Sequence, residues 1–98
     1  MKRSILITPE AETDIEEAFR WYEEALRGLG AGFLECLEKG VESIRDNPEM
    51  FPIVYRNVRR LLVRRFPYGI FYIVSENLIT ILAVFHARRD PEEWKSRH

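Results

Sequence analysis

The chain has 98 residues, room for one modest hydrophobic core and a single domain spanning 1–98. Its content of 46% hydrophobic and 12% aromatic residues excludes a disordered polymer, and a net charge of −1 argues against a general nucleic-acid coat. The one cysteine, Cys36, excludes an internal disulfide and suits a reducing compartment.

The near-neutral total conceals a split. Residues 1–50 carry 6 Lys/Arg against 12 Asp/Glu, whereas residues 51–98 carry 9 against 4. The sequence therefore predicts an acidic half and a basic half. Met1-Lys2-Arg3 leads into only a short apolar stretch, Ile5 to Ile7, which does not read as a secretory signal. The longest near-apolar run, Leu78 to Phe85, is far below the roughly 20 residues of a membrane helix. A soluble, cytoplasmic protein with no membrane contact is expected.

Ser4 to Thr8 reads as a short strand. Thr8-Pro9 then opens a helix, since threonine caps well and proline is tolerated at the first helical position. Glu10 and Glu12 place negative charge in its first turn, where the helix dipole favours it. Ala11, Ile15, Ala18, Phe19, Tyr22 and Leu26 mark one apolar face, and Gly28 is a stop. Trp21 is offset from that stripe. A second helix is predicted from Leu29 to Asp46 with the stripe Phe33, Cys36, Leu37, Gly40, Val41 and Ile44. Cys36 reads there as a small buried hydrophobe. Gly40 reads as a place where a neighbouring helix could approach closely. The short Gly28-Leu29-Gly30 connection makes the two helices an antiparallel hairpin.

Glu49 to Asn57 reads as a loop containing Pro52. Three strands follow: Val58 to Arg65, Tyr68 to Ser75 and Leu78 to Ala87, the first two separated by Phe66-Pro67. Glu76-Asn77 is a two-residue turn that makes a hairpin of the last two. Asp90-Pro91 opens a short closing helix. The fold class is thus α+β in the order β-α-α-β-β-β-α, with the helical hairpin on one face of a small, mainly antiparallel sheet. In the last strand Ile79, Ile81, Ala83 and Phe85 are expected on one face and Leu78, Thr80, Leu82 and Val84 on the other. Both sets are apolar, so the face away from the hairpin must be covered by the C-terminal tail or left for a partner. Arginines flank these apolar runs and frame that face for something anionic.

This order, with Pro9-Glu10-Ala11…Asp14-Ile15, Asn47-Pro48, Val58-Arg59, Phe66-Pro67-Tyr68…Tyr72 and Val84-Phe85-His86-Ala87-Arg88-Arg89-Asp90-Pro91…Trp94, resembles the RelE/ParE superfamily of bacterial toxins. The resemblance covers essentially the whole chain. It implies a small toxin of a type II toxin–antitoxin module, held inactive by a cognate antitoxin that wraps it with a segment ordering on binding. Family members either cut messenger RNA on the ribosome or poison DNA gyrase.

For RNA cleavage, a base, an acid and cations for the developing phosphorane charge are needed. Arg64, His86 and Arg88 fall where nucleases of the family place such groups. Against this, Trp94 stands where some carry a tyrosine, and its indole cannot shuttle a proton. Tyr68 is followed by Gly69 where many carry an arginine. The run from Val84 to Arg89 looks closer to the ParE-like branch, which needs a binding surface and no proton shuttle. Gyrase poisoning is therefore the favoured expectation, with a metal-independent mRNA endoribonuclease as the alternative. A non-toxic nucleic-acid-binding module, stacking bases on Tyr68, Phe71 and Tyr72, is a third reading. Arg59, Arg60, Arg65, Arg89 and Trp94 are the expected target contacts. Trp21, Leu82 and Val84 are the expected antitoxin contacts. His86 also fits a plain strand-end histidine bonded to backbone, the arginines a solvated rim, and Trp94 a cover for the core. Without a metal-ligand cluster or a phosphate-cradling loop in the sequence, neither metal nor cofactor is expected.

Overall fold

In the computed structural model, which describes residues 3–98, the elements are β1 (Ser4–Ile7), α1 (Pro9–Ala25), α2 (Leu29–Asp46), β2 (Ile53–Tyr55), β3 (Val58–Leu62), β4 (Tyr68–Val74), β5 (Leu78–His86) and α3 (Pro91–Lys95). They build a five-stranded sheet in the order β1-β5-β4-β3-β2. Only β1 runs parallel to its neighbour, β5; the other pairs are antiparallel.

The helix starts are made locally. Thr8 Oγ1 accepts the Ala11 amide N–H at 3.1 Å, with Pro9 in the first helical turn. Gly28 adopts φ 91°, a left-handed conformation that glycine tolerates best, so α2 can begin at once after the turn. The Glu23 carboxylate accepts the amides of Gly28 and Gly30 at 3.0 Å each and ties the connection to α1. Gly30 lies where α1 comes closest: a Cβ there would sit 2.8 Å from the Phe19 carbonyl oxygen. At Gly40 the expected helix neighbour is absent. Its flank meets the sheet instead, 3.0 Å from Ile70 Cδ1 and Leu61 Cδ2.

Two departures from the sequence reading matter. The predicted loop before β3 contains β2, whose three residues pair only with the start of β3. β3 ends at Leu62, so Arg64 and Arg65 lie in the turn toward β4 and not on a strand.

The hairpin buries one face of the sheet over Phe33, Leu37, Ile44, Leu61, Ile70, Tyr72, Ile79, Ile81 and Val84. The opposite face carries Val58, Phe71, Leu82, Ala83 and Phe85, closed by Trp94 of α3. The alternation expected along β5 breaks in the middle. Phe71 pairs with Ala83 while Tyr72 pairs with Ile81, so Leu82 is the extra residue of a β-bulge. Beyond it the faces exchange: Val84 joins Ile79 and Ile81 under the hairpin, and Ala83 and Phe85 turn to the other side.

The bulge frees backbone groups, and a polar cluster satisfies them. Asp14 of α1 is 4% exposed and accepts the Val84 N–H at 3.0 Å. Arg97, beyond α3, donates to both Asp14 oxygens (2.6 and 3.1 Å) and to the Leu82 carbonyl at 3.0 Å. Bonding to Asp14 raises the Arg97 pKa above its ordinary value. The tail is thereby fastened to the first helix across the sheet. The second face is closed by the chain itself, so of the two alternatives the sequence leaves open, cover by the C-terminal tail is the one realised.

Candidate functional site

Each arginine singled out in the sequence has a definite place, and only some remain available. Arg59 lies on the hairpin side of β3. Its guanidinium donates to the carbonyls of Glu49 (3.0 Å) and Phe51 (2.7 Å), holding the loop after α2. Arg89 is paired with Glu93 at 3.0 Å, and its guanidinium lies 3.9 Å from the centre of the Phe85 ring. Trp94 is 7% exposed and stacks on Phe71 with ring centres 4.2 Å apart. As a wedge in the core, Trp94 offers a target no surface. Leu82 (7% exposed) and Val84 (2%) are also core residues: Leu82 stays on the face that Trp94 closes, and the bulge turns Val84 under the hairpin, so neither is exposed in this conformation. Trp21 is different. It projects from α1 at 68% exposure.

His86 ends β5. Its Nδ1 accepts the Arg88 backbone N–H at 3.0 Å, and its ring meets Tyr68 edge-on at 5.3 Å. Register places His86 opposite Tyr68, whose carbonyl accepts the Val63 N–H. His86, Tyr68 and Val63 thus share the hairpin side of the sheet. Arg64 comes one residue later and lines a different region. Arg88 is exposed in the turn after β5.

That region is a groove of about 770 Å³ between α2 and the outer edge of β3. It exists because β2 is short. The last strand-to-strand pairs of the sheet edge are Ile53 with Arg59 and Tyr55 with Val58, and the Arg60 N–H bonds to the Pro52 carbonyl. Past Arg60 the edge of β3 has no strand beside it among the described residues. Leu61, Leu62, Phe51 and Pro52 give the groove an apolar lining, and Lys39, Arg64 and Arg65 give it cations; Arg60 borders it, but its side chain lies with Phe71 on the opposite face of the sheet. Among the described residues, no carboxylate lies within 4.0 Å of any of the four. The Arg60 Nε is buried without a hydrogen-bond partner, and the Arg60 stem runs over Gly69, where a side chain would meet it at 3.1 Å. Neither His86 nor Arg88 contributes to the groove. The three residues proposed for nuclease chemistry are therefore not gathered around one cavity.

Chemically, the groove can seat an apolar side chain and hold anionic groups at its rim. The sequence reading named its three arginines but missed Lys39 and the apolar lining, because the groove depends on where β2 stops. It also missed Asp14 and Arg97. Asp14 was readable: with Ala11 and Ala18 it falls at the three-and-four spacing of the buried face, where a carboxylate needs a cation.

The family described as "ParE toxin of type II toxin-antitoxin system, parDE" matches residues 5–91. Toxin ParE2 of Mycobacterium tuberculosis, from strains CDC 1551 / Oshkosh and H37Rv alike, is 28% identical over 95 residues, covering 93% of this chain and 88% of the relative. A structure of the chromosomal ParDE system from P. aeruginosa superposes with a TM-score of 0.77 at 18% identity, over 86% of this chain and 95% of that one. An E. coli toxin RelE mutant in the free state superposes at 0.72 with 16% identity, over 99% and 94%. At such identities the two structures speak for the fold alone. With a bulged, tail-sealed sheet under a helical hairpin, and a family match over nearly its whole length, the chain belongs to the ParE toxin family of type II toxin–antitoxin systems.

Proposed function

We propose that this chain is a toxin neutralised by a separately encoded antitoxin, and that it poisons DNA gyrase by binding and does not cut messenger RNA. One observation carries the second part: Arg64 lines the α2–β3 groove, while His86 and Arg88 lie elsewhere. A nuclease centre needs its base, acid and cations around one phosphate. The His86 Nδ1 is committed to the turn, and the Arg60 stem occupies the space that an arginine at position 69 would need. A binding toxin requires only a surface, and the cation-rimmed groove supplies one. Arg64 and Arg65 at its rim are its target contacts, with Arg60 reaching the target from the adjoining face of β3.

The relatives' names support the antitoxin half of the reading. Trp21, exposed on α1, is the contact expected to anchor the antitoxin.

The test adds purified toxin to a gyrase supercoiling assay and, in parallel, to a translation reaction whose transcripts are mapped for cuts. Lost supercoiling with intact transcripts supports gyrase. Unchanged supercoiling with transcripts cut at ribosomes reverses the assignment.

A further inference from the structure

Two surfaces of this chain complement each other, and neither is neutralised within the fold. The first is the α2–β3 groove, with the cations Lys39, Arg64 and Arg65 and with Met50 and Leu62 along it, 66% and 62% exposed. The second is the outward stripe of α1. Trp21 stands there between Glu17 and Glu24, all three exposed and one turn apart. Arg20, the one cation of α1, is already paired with Glu16. The stripe is therefore an aromatic anchor flanked by uncompensated carboxylates.

We propose that a second copy of the chain docks its α1 in this groove. Trp21 enters the apolar part, and Glu17 and Glu24 meet the rim cations. The groove, at about 770 Å³, is larger than one indole. Charge selects the geometry. A symmetric contact between two grooves would oppose Lys39, Arg64 and Arg65 to their own counterparts. A symmetric contact between two α1 stripes would oppose glutamates. Seating the stripe of one copy in the groove of another brings unlike charges together. Such a contact is heterologous: each pair leaves one groove and one stripe open, so further copies can add. The net charge of −1 provides little overall repulsion against it. The contact buries only part of one helix face and falls in the weak, transient class. It stands whether or not gyrase is the target. One consequence is that association hides the cation-rimmed groove, whereas an antitoxin holding Trp21 would disperse the assembly.

Sedimentation equilibrium of the isolated chain tests this, from on the order of 10 µM to 1 mM, at low and high salt. The expected result is a weight-average mass that climbs above 11.7 kDa with concentration at low salt and returns to it at about 0.5 M salt. Trp21→Ala and the double variant Lys39→Glu/Arg64→Glu, all exposed positions, should each stay monomeric with unchanged circular dichroism. Their mixture should form one-to-one pairs and nothing longer, because each variant retains the surface the other has lost. A wild-type chain that stays monomeric throughout overturns the proposal. So does a mixture without pairs, which would mean that the groove serves a different protein segment. Association that survives in either variant alone also overturns it, since the contact would then be elsewhere.

Discussion

Replacing Arg97 with alanine removes the cation that makes the buried Asp14 tolerable. Asp14 is 4% exposed and accepts three hydrogen bonds, two of them from Arg97. Without that guanidinium the carboxylate keeps a single neutral donor, the Val84 N–H. Breaking a buried ion pair from one side costs about 3–5 kcal/mol, because an uncompensated charge is left behind. The Arg97 side chain is itself 22% exposed, so water can enter part of the vacated space. That places the expected loss near the lower end, about 3 kcal/mol. In a domain of this size each kcal/mol moves Tm by about 4–8 °C, so the melting temperature should fall by about 12–24 °C.

Urea unfolding followed by circular dichroism reads the loss as a lower midpoint at unchanged slope. The double-mutant cycle with Asp14→Asn isolates the pair. The two single costs should exceed the double cost by about 2 kcal/mol. An Arg97→Ala loss below about 1 kcal/mol, the range of an exposed pair, would refute the reasoning. So would strict additivity in the cycle. Either result would mean that the tail is not held by this ion pair.

Burial pushes the Tyr72 hydroxyl pKa up to about 12, with Arg59 pulling the other way, and the hydroxyl donates to the Pro48 carbonyl at 2.7 Å. Its contribution to stability is complete below pH 10, where the unfolded tyrosine is still protonated, and is lost as pH rises from 10 through about 12. Tyr72→Phe should therefore cost about 1 kcal/mol at neutral pH and flatten that alkaline fall in denaturant melts. Part of the fall should remain, since burial also raises Tyr22 and Tyr68. Gly30→Ala meets backbone at 2.8 Å and should lose about 1–3 kcal/mol. Gly40→Ala meets two methyl ends at 3.0 Å and should lose clearly less, because those ends can move and alanine favours the helix by about 1 kcal/mol. In growth assays His86→Gln should leave toxicity intact while Arg64→Ala reduces it; the opposite ranking would favour an acid–base role for His86.

Much of the fold was legible because its punctuation is local. Thr8-Pro9 and Asp90-Pro91 each cap a helix in the structure, with Thr8 and Asp90 side chains accepting amides as their types suggest. The second helix spans Leu29–Asp46, the run marked by its apolar stripe. What stayed hidden was register. A strand whose two faces are both apolar gives no sign of a slip, so the bulge at Leu82 left no trace in residues 78–86. That one residue moved Ala83 and Phe85 to the far face and took Val84 to the near one. Leu82 itself stayed on the far face and is covered there by the closing helix. β2 was hidden for a related reason: three residues after Pro52 are too few to show a period of two.

The candidate surface follows from how the fold uses its cations. Residues 51–98 carry nine of them, and composition alone treats the nine alike. The fold does not. The bulge in β5 leaves a carbonyl that Arg97 answers, and the buried Asp14 requires the same guanidinium. The loop after α2 turns two carbonyls inward, and Arg59 answers those. Arg89 is held by Glu93 and Phe85 at the start of α3. Where β2 stops, nothing in the chain asks for a cation, and there Arg64 and Arg65 gather beside Lys39. A β2 two residues longer would pair the edge of β3 past Arg60 and roof the groove. The length of that one short strand therefore sets whether this cation-rimmed groove is open to a partner.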